Sequence, residues 1–142
     1  NIDLLLKDKF FNEKAIYFNL IENIQNVNED YFPNSKLIQL YKSSDLYLNL
    51  SRIESFGITI IEALASEIPV ITFDTKGGNE LVINNFNGVI VKKNNVIEFV
   101  KAIKKFDDLD FYNRIKVNTI KSILNYDLNK VAKQTVDILR KF

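Results

Sequence analysis

Three short apolar runs, Asp45–Leu50, Pro69–Phe73 and Gly88–Val91, alternate with helix-patterned segments, and this alternation limits the folds open to the chain. Asp45–Leu50 alternates polar and apolar residues as a strand does, and the other two runs have the length of buried strands. Between them, Gly57–Ser66 places Ile60, Ile61, Ala63 and Leu64 at helical spacing, and Gly77–Asn84 reads as a short helix. Leu37, Ile38, Leu40 and Tyr41 follow Asn34-Ser35, a pair able to cap a helix. Asn94 and Asn95 cap a helix through about Lys105, and amphipathic helices are expected at about Asp108–Leu124 and Leu128–Lys141. The first third is less regular: Asn1–Lys7 and Ala15–Leu20 read as strands or short helical pieces, and Asn23–Asn34 as a polar loop. Short apolar strands alternating with helices predict an α/β fold, a parallel sheet covered by helices on both faces.

Composition narrows the chemistry. The chain of 142 residues has the size of one domain and is 46% hydrophobic, which excludes disorder as its main state. With 19 basic and 18 acidic residues the net charge is +1, which argues against non-specific nucleic-acid binding. His and Cys are absent, so imidazole catalysis, thiolate nucleophiles, disulfides and zinc–cysteine sites are excluded. The longest apolar runs, such as Ile58–Ile61 and Gly88–Val91, fall far below the roughly 20 residues of a membrane span. The chain starts at Asn1 and contains no Met, so a fragment, a trimmed chain or a processed product is expected.

Parallel α/β sheets bind ligands at the carboxyl ends of their strands, beside helix N-termini. That points to the turns after Leu50 and after Phe73. In the first, Gly57 opens a helix directly from a loop, leaving the amides of Gly57, Ile58 and Thr59 without intrahelical partners at the positive end of the helix dipole. A phosphate fits there, because glycine lets it approach the backbone, and Thr59 adds a hydroxyl donor. Glu54 in the loop and Glu62 in the helix do not favour phosphate by charge; they suit acceptors for the hydroxyls of a ribose or a sugar. Each can also be a solvated surface carboxylate, but Glu62 sits among Ile60, Ile61, Ala63 and Leu64, where a carboxylate needs a partner or a ligand.

Other features admit plain readings. Gly77-Gly78 either lines a ligand site or forms a tight turn that needs positive φ. Glu80 falls in the first turn of the following helix, Asn87-Gly88 is a turn into a strand, and Asp45 is a strand-start residue. Phe73, Phe99 and Phe106 belong to the core, whereas Phe56, in a loop beside glycine, can wall a pocket. Lys130, Lys133, Arg140 and Lys141 with Val131, Val136 and Leu139 read as the solvated face of a core helix, in preference to a membrane surface.

The spacing Glu54-x7-Glu62, with Phe56-Gly57 after the first acid and Glu62-Ala63-Leu64-Ala65 around the second, is followed by Pro69-Val70, Gly77-Gly78, Glu80 and Asn87-Gly88. From about Ser35 onward the chain thereby resembles the C-terminal domain of retaining GT-B glycosyltransferases of family 4. The resemblance implies a Rossmann-like domain, the C-terminal half of a GT-B fold, with residues 1–142 forming one nucleotide-sugar-binding domain of a two-domain enzyme. It implies a catalytic place for Glu54 at the donor sugar hydroxyls and a ribose contact for Glu62. It also implies donor or nucleotide contacts for Ser51, Phe56, Gly57, Ile58, Thr59, Gly77 and Gly78. The expected partners are a nucleotide-diphosphate sugar and, through the other domain, a saccharide or lipid-linked acceptor. No cofactor or divalent metal is expected, and the isolated chain should be inactive. The parent enzyme is expected in the cytoplasm, in polysaccharide biosynthesis, with peripheral membrane contact compatible with lipid-linked acceptors. Leu50-Ser51 stands where Pro-Ser is common in the family, and Glu67 where Gly is frequent. The family's Gly-Arg and Lys diphosphate clamp has no counterpart before Ser35, and Arg52 and Lys76 are the nearby basic residues. A different class, a non-catalytic α/β binding module, would share the fold and bind no nucleotide. A receiver domain fits less well, since Asp45 and Asp74 supply an acidic cluster poorly.

Overall fold

The computed structural model describes residues 34–140; the segments read at 1–7, 15–20 and 23–33 lie outside them. The elements follow as α1 (Asn34–Lys42), β1 (Tyr47–Asn49), α2 (Ile58–Ala65), β2 (Val70–Phe73), α3 (Lys76–Leu81), β3 (Gly88–Val91), α4 (Val96–Lys105), α5 (Leu109–Ile123), a 3-10 turn (Leu124–Tyr126) and α6 (Leu128–Leu139). The three strands form a parallel sheet in the order β1-β2-β3, with Asn49 beside Thr72 and Phe73 beside Val91.

Helices cover both faces, as the short, apolar strands require. On one face Ile71, Phe73, Val89 and Val91 pack with Phe99, Ala102 and Ile103 of α4, and Phe106 and Phe111 close its margin. On the other, Val70 packs with Ile60, Ala63 and Leu64 of α2, with Ile68, and with Leu81 and Val82. Helix starts are set by side-chain oxygens: Asn95 accepts from the Glu98 amide, Asp108 from the amides of Asp110 and Phe111, and Asp127 from those of Asn129 and Lys130.

The turn from α2 into β2 explains a sequence oddity. The amide of Ile68 donates to Ala63 O and that of Glu67 to Leu64 O, a Schellman cap whose pivot, Glu67, has φ 63°. Glycine takes that left-handed conformation freely, so a glutamate there carries backbone strain.

Three readings need correction. Gly77 and Gly78 do not have positive φ; Gly57, at φ 87°, is the glycine that does. They are small because other groups press on them: a Cβ on Gly78 would meet Phe73 O and Thr75 Oγ1 at 2.8 Å. Glu80 is not in the first turn of α3, because the Thr75 hydroxyl caps the Gly78 amide and starts the helix at Lys76. Finally, α6 is not a core helix. The chain leaves Tyr126 through an extended Asp127, and Leu128 and Leu139 end 80% and 66% exposed. Among the described residues no helix is long and apolar enough to cross a membrane.

Candidate functional site at the strand ends

The carboxyl end of β1 leads into the loop 50–57, which is anchored at both ends. At its start, Asn49 Oδ1 accepts from the Ser51 amide at 3.0 Å. At its end, the Gly77 amide donates to Glu54 O at 2.8 Å, and a Cβ on Gly77 would lie 2.8 Å from Phe56 N. This close approach presses the loop against the start of α3 and explains Gly77. Phe56, 43% exposed, meets Tyr126 edge-on with ring centroids 6.2 Å apart.

Gly57 then turns the chain into α2 at φ 87° and ψ 52°. Thr75, Asn95, Asp108 and Asp127 cap the four later helices, but α2 has no side-chain cap. Among the described residues, no hydrogen bond takes up the amides of Gly57, Ile58 or Thr59; the carbonyl of Gly57 accepts from Ile60 and Ile61. Three amide donors thus stand at the positive end of an eight-residue helix, an arrangement suited to an anion.

Two carboxylates flank this helix start. Glu54 is half-buried in the loop, with its Cγ against Gly77. Glu62, also half-buried, accepts from the Tyr41 hydroxyl of α1 at 3.0 Å. A second tyrosine, Tyr47 of β1, donates to Thr59 Oγ1 at 2.9 Å, and its ring lies 6.1 Å from that of Tyr41. Burial raises the Tyr47 phenol above its ordinary value; the Thr59 hydrogen bond opposes this, and the charges of Glu54 and Glu62 add to it. Burial likewise raises Tyr41, with the Glu62 hydrogen bond and charge adding to it, so both phenols stay neutral donors at physiological pH.

Ser51, Glu54 and Phe56 lie in the loop after β1, Gly57, Ile58 and Thr59 at the start of α2 with Glu62 further along it, and Gly77, buried like Gly57, ties the start of α3 to that loop through its bond to Glu54 O. Gly78, also buried, has its amide engaged by Thr75. Arg52 and Lys76 are both exposed. Two open hollows lie elsewhere, one lined by Glu67, Asn113, Lys116, Val117 and Ile120, the other by residues 92–97. Among the described residues no group of three or more Asp, Glu, His or Cys side chains is assembled that could hold a metal ion.

Sequence reasoning passed over Tyr41, Tyr47 and Asn49. Tyr41 shows in the sequence only as part of a helical apolar pattern, yet a phenol hydroxyl on a half-buried ring needs a partner. Asn49 is 3% exposed and its Nδ2 has no hydrogen-bond partner among the described residues. Alternation puts Asn49 on the polar side of its strand, and only the covering of both faces of a parallel sheet signals that this side is buried as well.

The description Glycosyl transferases group 1 matches residues 8–122, starting well upstream of the motifs quoted from Ser35 onward. The chain is 29% identical over 59% of its length to the GtfA subunit of the UDP-N-acetylglucosamine–peptide N-acetylglucosaminyltransferase of Streptococcus parasanguinis, covering 17% of that protein. It is 29% identical over 61% of its length to the UDP-Gal:alpha-D-GlcNAc-diphosphoundecaprenol alpha-1,3-galactosyltransferase of Escherichia coli, covering 22% of it. The crystal structure of Anabaena Alr3699/HepE in complex with UDP superimposes with a TM-score of 0.69 at 25% identity, over 73% of this chain and 29% of that one. The chain spans less than a third of the length of these relatives.

Proposed function

The chain belongs to the glycosyl transferases group 1 family, and on that premise we propose that it is the donor-binding domain of a hexosyltransferase. The observation that carries this reading is the uncapped start of α2 at Gly57, with Glu54 and Glu62 on either side. The amides of Gly57, Ile58 and Thr59, with that of Phe56, would hold the diphosphate of a nucleotide sugar. Glu62 would accept from ribose hydroxyls, and Glu54 from hydroxyls of the donor sugar. Ser51, Phe56, Gly77 and Gly78 would complete the wall of the site. Similarity to a structure that holds UDP supports a nucleotide at this face.

In the reaction the bond between the anomeric carbon and the diphosphate breaks, the acceptor hydroxyl gives up its proton to a base that the second domain would supply, and its oxygen bonds to that carbon with retention of configuration, as in glycosyltransferase family 4. Negative charge grows on the leaving diphosphate, where fixed amide dipoles stabilise it without a divalent cation. The acceptor, a saccharide or a lipid-linked one, would be held by a second domain. We therefore assign the isolated chain no transfer activity, and the parent enzyme a cytoplasmic place in polysaccharide synthesis, in contact with the membrane when its acceptor is lipid-linked.

Titration of the chain with UDP, GDP and ADP, followed by amide shifts, tests this reading. Shifts at Gly57–Glu62 with one of them support it. No shift with any of the three would leave a non-binding α/β module as the better description.

A further inference from the structure

Tyr41 reaches across from α1 to Glu62, 21 residues away in the chain, and its hydroxyl donates to Oε2 at 3.0 Å. A carboxylate has about four lone-pair sites, so one phenol leaves room for two more donors. The Tyr41 ring is itself set against Tyr47, whose hydroxyl ends on Thr59 Oγ1 one turn before Glu62. Two half-buried tyrosines thus tie β1 and α1 to α2. A glutamate side chain has three rotatable bonds, and fixing it before a ligand arrives lowers what binding must spend on ordering it.

We propose that Tyr41 is a positioning residue: through its hydrogen bond it holds the Glu62 carboxylate in the orientation that accepts the ribose hydroxyls of a nucleoside diphosphate. The inference rests on the ribose role given to Glu62 above. Tyr41 does not touch the ligand, so its influence passes entirely through Glu62 and vanishes when the ribose has no hydroxyls to offer. If Tyr41 instead competed with the ribose for Glu62, its removal would strengthen binding.

The test uses the full chain, Tyr41→Phe and Glu62→Gln, each titrated with UDP, GDP and ADP and with their 2′,3′-dideoxy counterparts. Phenylalanine keeps the ring packed on Tyr47, and thermal melting checks that the fold survives. For the nucleotide that binds best, Tyr41→Phe should weaken binding about 3- to 10-fold, the loss expected for one hydrogen bond, and leave the dideoxy form unchanged. Equal losses on both forms, no loss, or a gain would each overturn the positioning role. If the unaltered chain binds both forms equally, or Glu62→Gln loses nothing, the ribose role of Glu62 fails and this inference falls with it. Binding of none of the three would reject the donor site itself.

Discussion

The amide of Gly77 donates to the carbonyl of Glu54 across 2.8 Å, and this bond fastens the loop carrying the first carboxylate to the start of the next helix. The two segments meet with no space for a side chain, since a Cβ on Gly77 would lie 2.8 Å and 2.9 Å from Phe56 N and C. Gly77→Ala is expected to push the loop away, lowering stability by about 1–3 kcal/mol and weakening any ligand held between Glu54 and α2. Denaturant unfolding together with nucleotide titration checks this. An alanine variant with unchanged stability would show that the approach is looser than described.

Glu67→Gly should act in the opposite direction to most substitutions. Glu67 holds φ 63° at the pivot of the cap that ends α2. Relief of the left-handed strain outweighs the added freedom of the unfolded chain, so a gain of about 0.5–1 kcal/mol is expected. A loss in thermal or chemical unfolding would mean that the Glu67 side chain has a favourable role that offsets its backbone.

Asn87 is fully buried and uses its whole side-chain amide: Oδ1 accepts from the Ile83 amide, and Nδ2 donates to Leu81 O and to Ser122 Oγ. It thereby joins the end of α3 to α5. Asn87→Leu leaves the Ile83 amide and the Leu81 carbonyl without these partners, and a destabilisation of roughly 2–4 kcal/mol is expected. Unfolding midpoints measure it, and a loss well under 1 kcal/mol would show that water or other groups replace the amide.

The tyrosine pair gives a pH dependence of definite sign. Burial raises both phenols in the folded chain, Tyr41 further helped by Glu62 and Tyr47 by the charges of Glu54 and Glu62. Below about pH 10 both are neutral, folded or unfolded, and their contribution is complete. Above it the unfolded chain ionises first and binds fewer protons, so stability falls as pH rises. Unfolding measured between about pH 9 and 11 should show this decline, and Tyr41→Phe should make it shallower. An unchanged slope would remove Tyr41 from its cause.

Much of the frame was legible because its signals are local. The apolar runs at 69–73 and 88–91 and the residues Asn95 and Asp108 announce strands and helix starts within a few positions of themselves. Gly57 was legible as a helix opener because glycine after a polar loop has few other uses. The second half of the site was not, because its ties are long-range. Tyr41 meets Glu62, Tyr47 meets Thr59 and Asn87 meets Ser122 only after the sheet and helices have assembled. The positive φ offered as one of two readings of Gly77 fails for a related reason: pressure from Phe56 and a positive φ both select glycine, and sequence alone does not separate them. Amphipathicity in α6 shows an apolar stripe, but it carries no information on whether another element covers it.

The start of α2 and Glu62 are proposed to bind a nucleoside diphosphate together. The most direct test is the dissociation constant of the unaltered chain and of Glu62→Ala for whichever of UDP, GDP and ADP binds tightest. Glu62→Ala should lose a few-fold to tens of fold in affinity, the worth of one or two hydrogen bonds to a ribose, with amide shifts at Gly57, Ile58 and Thr59 retained. Equal affinity in a folded Glu62→Ala variant would contradict it.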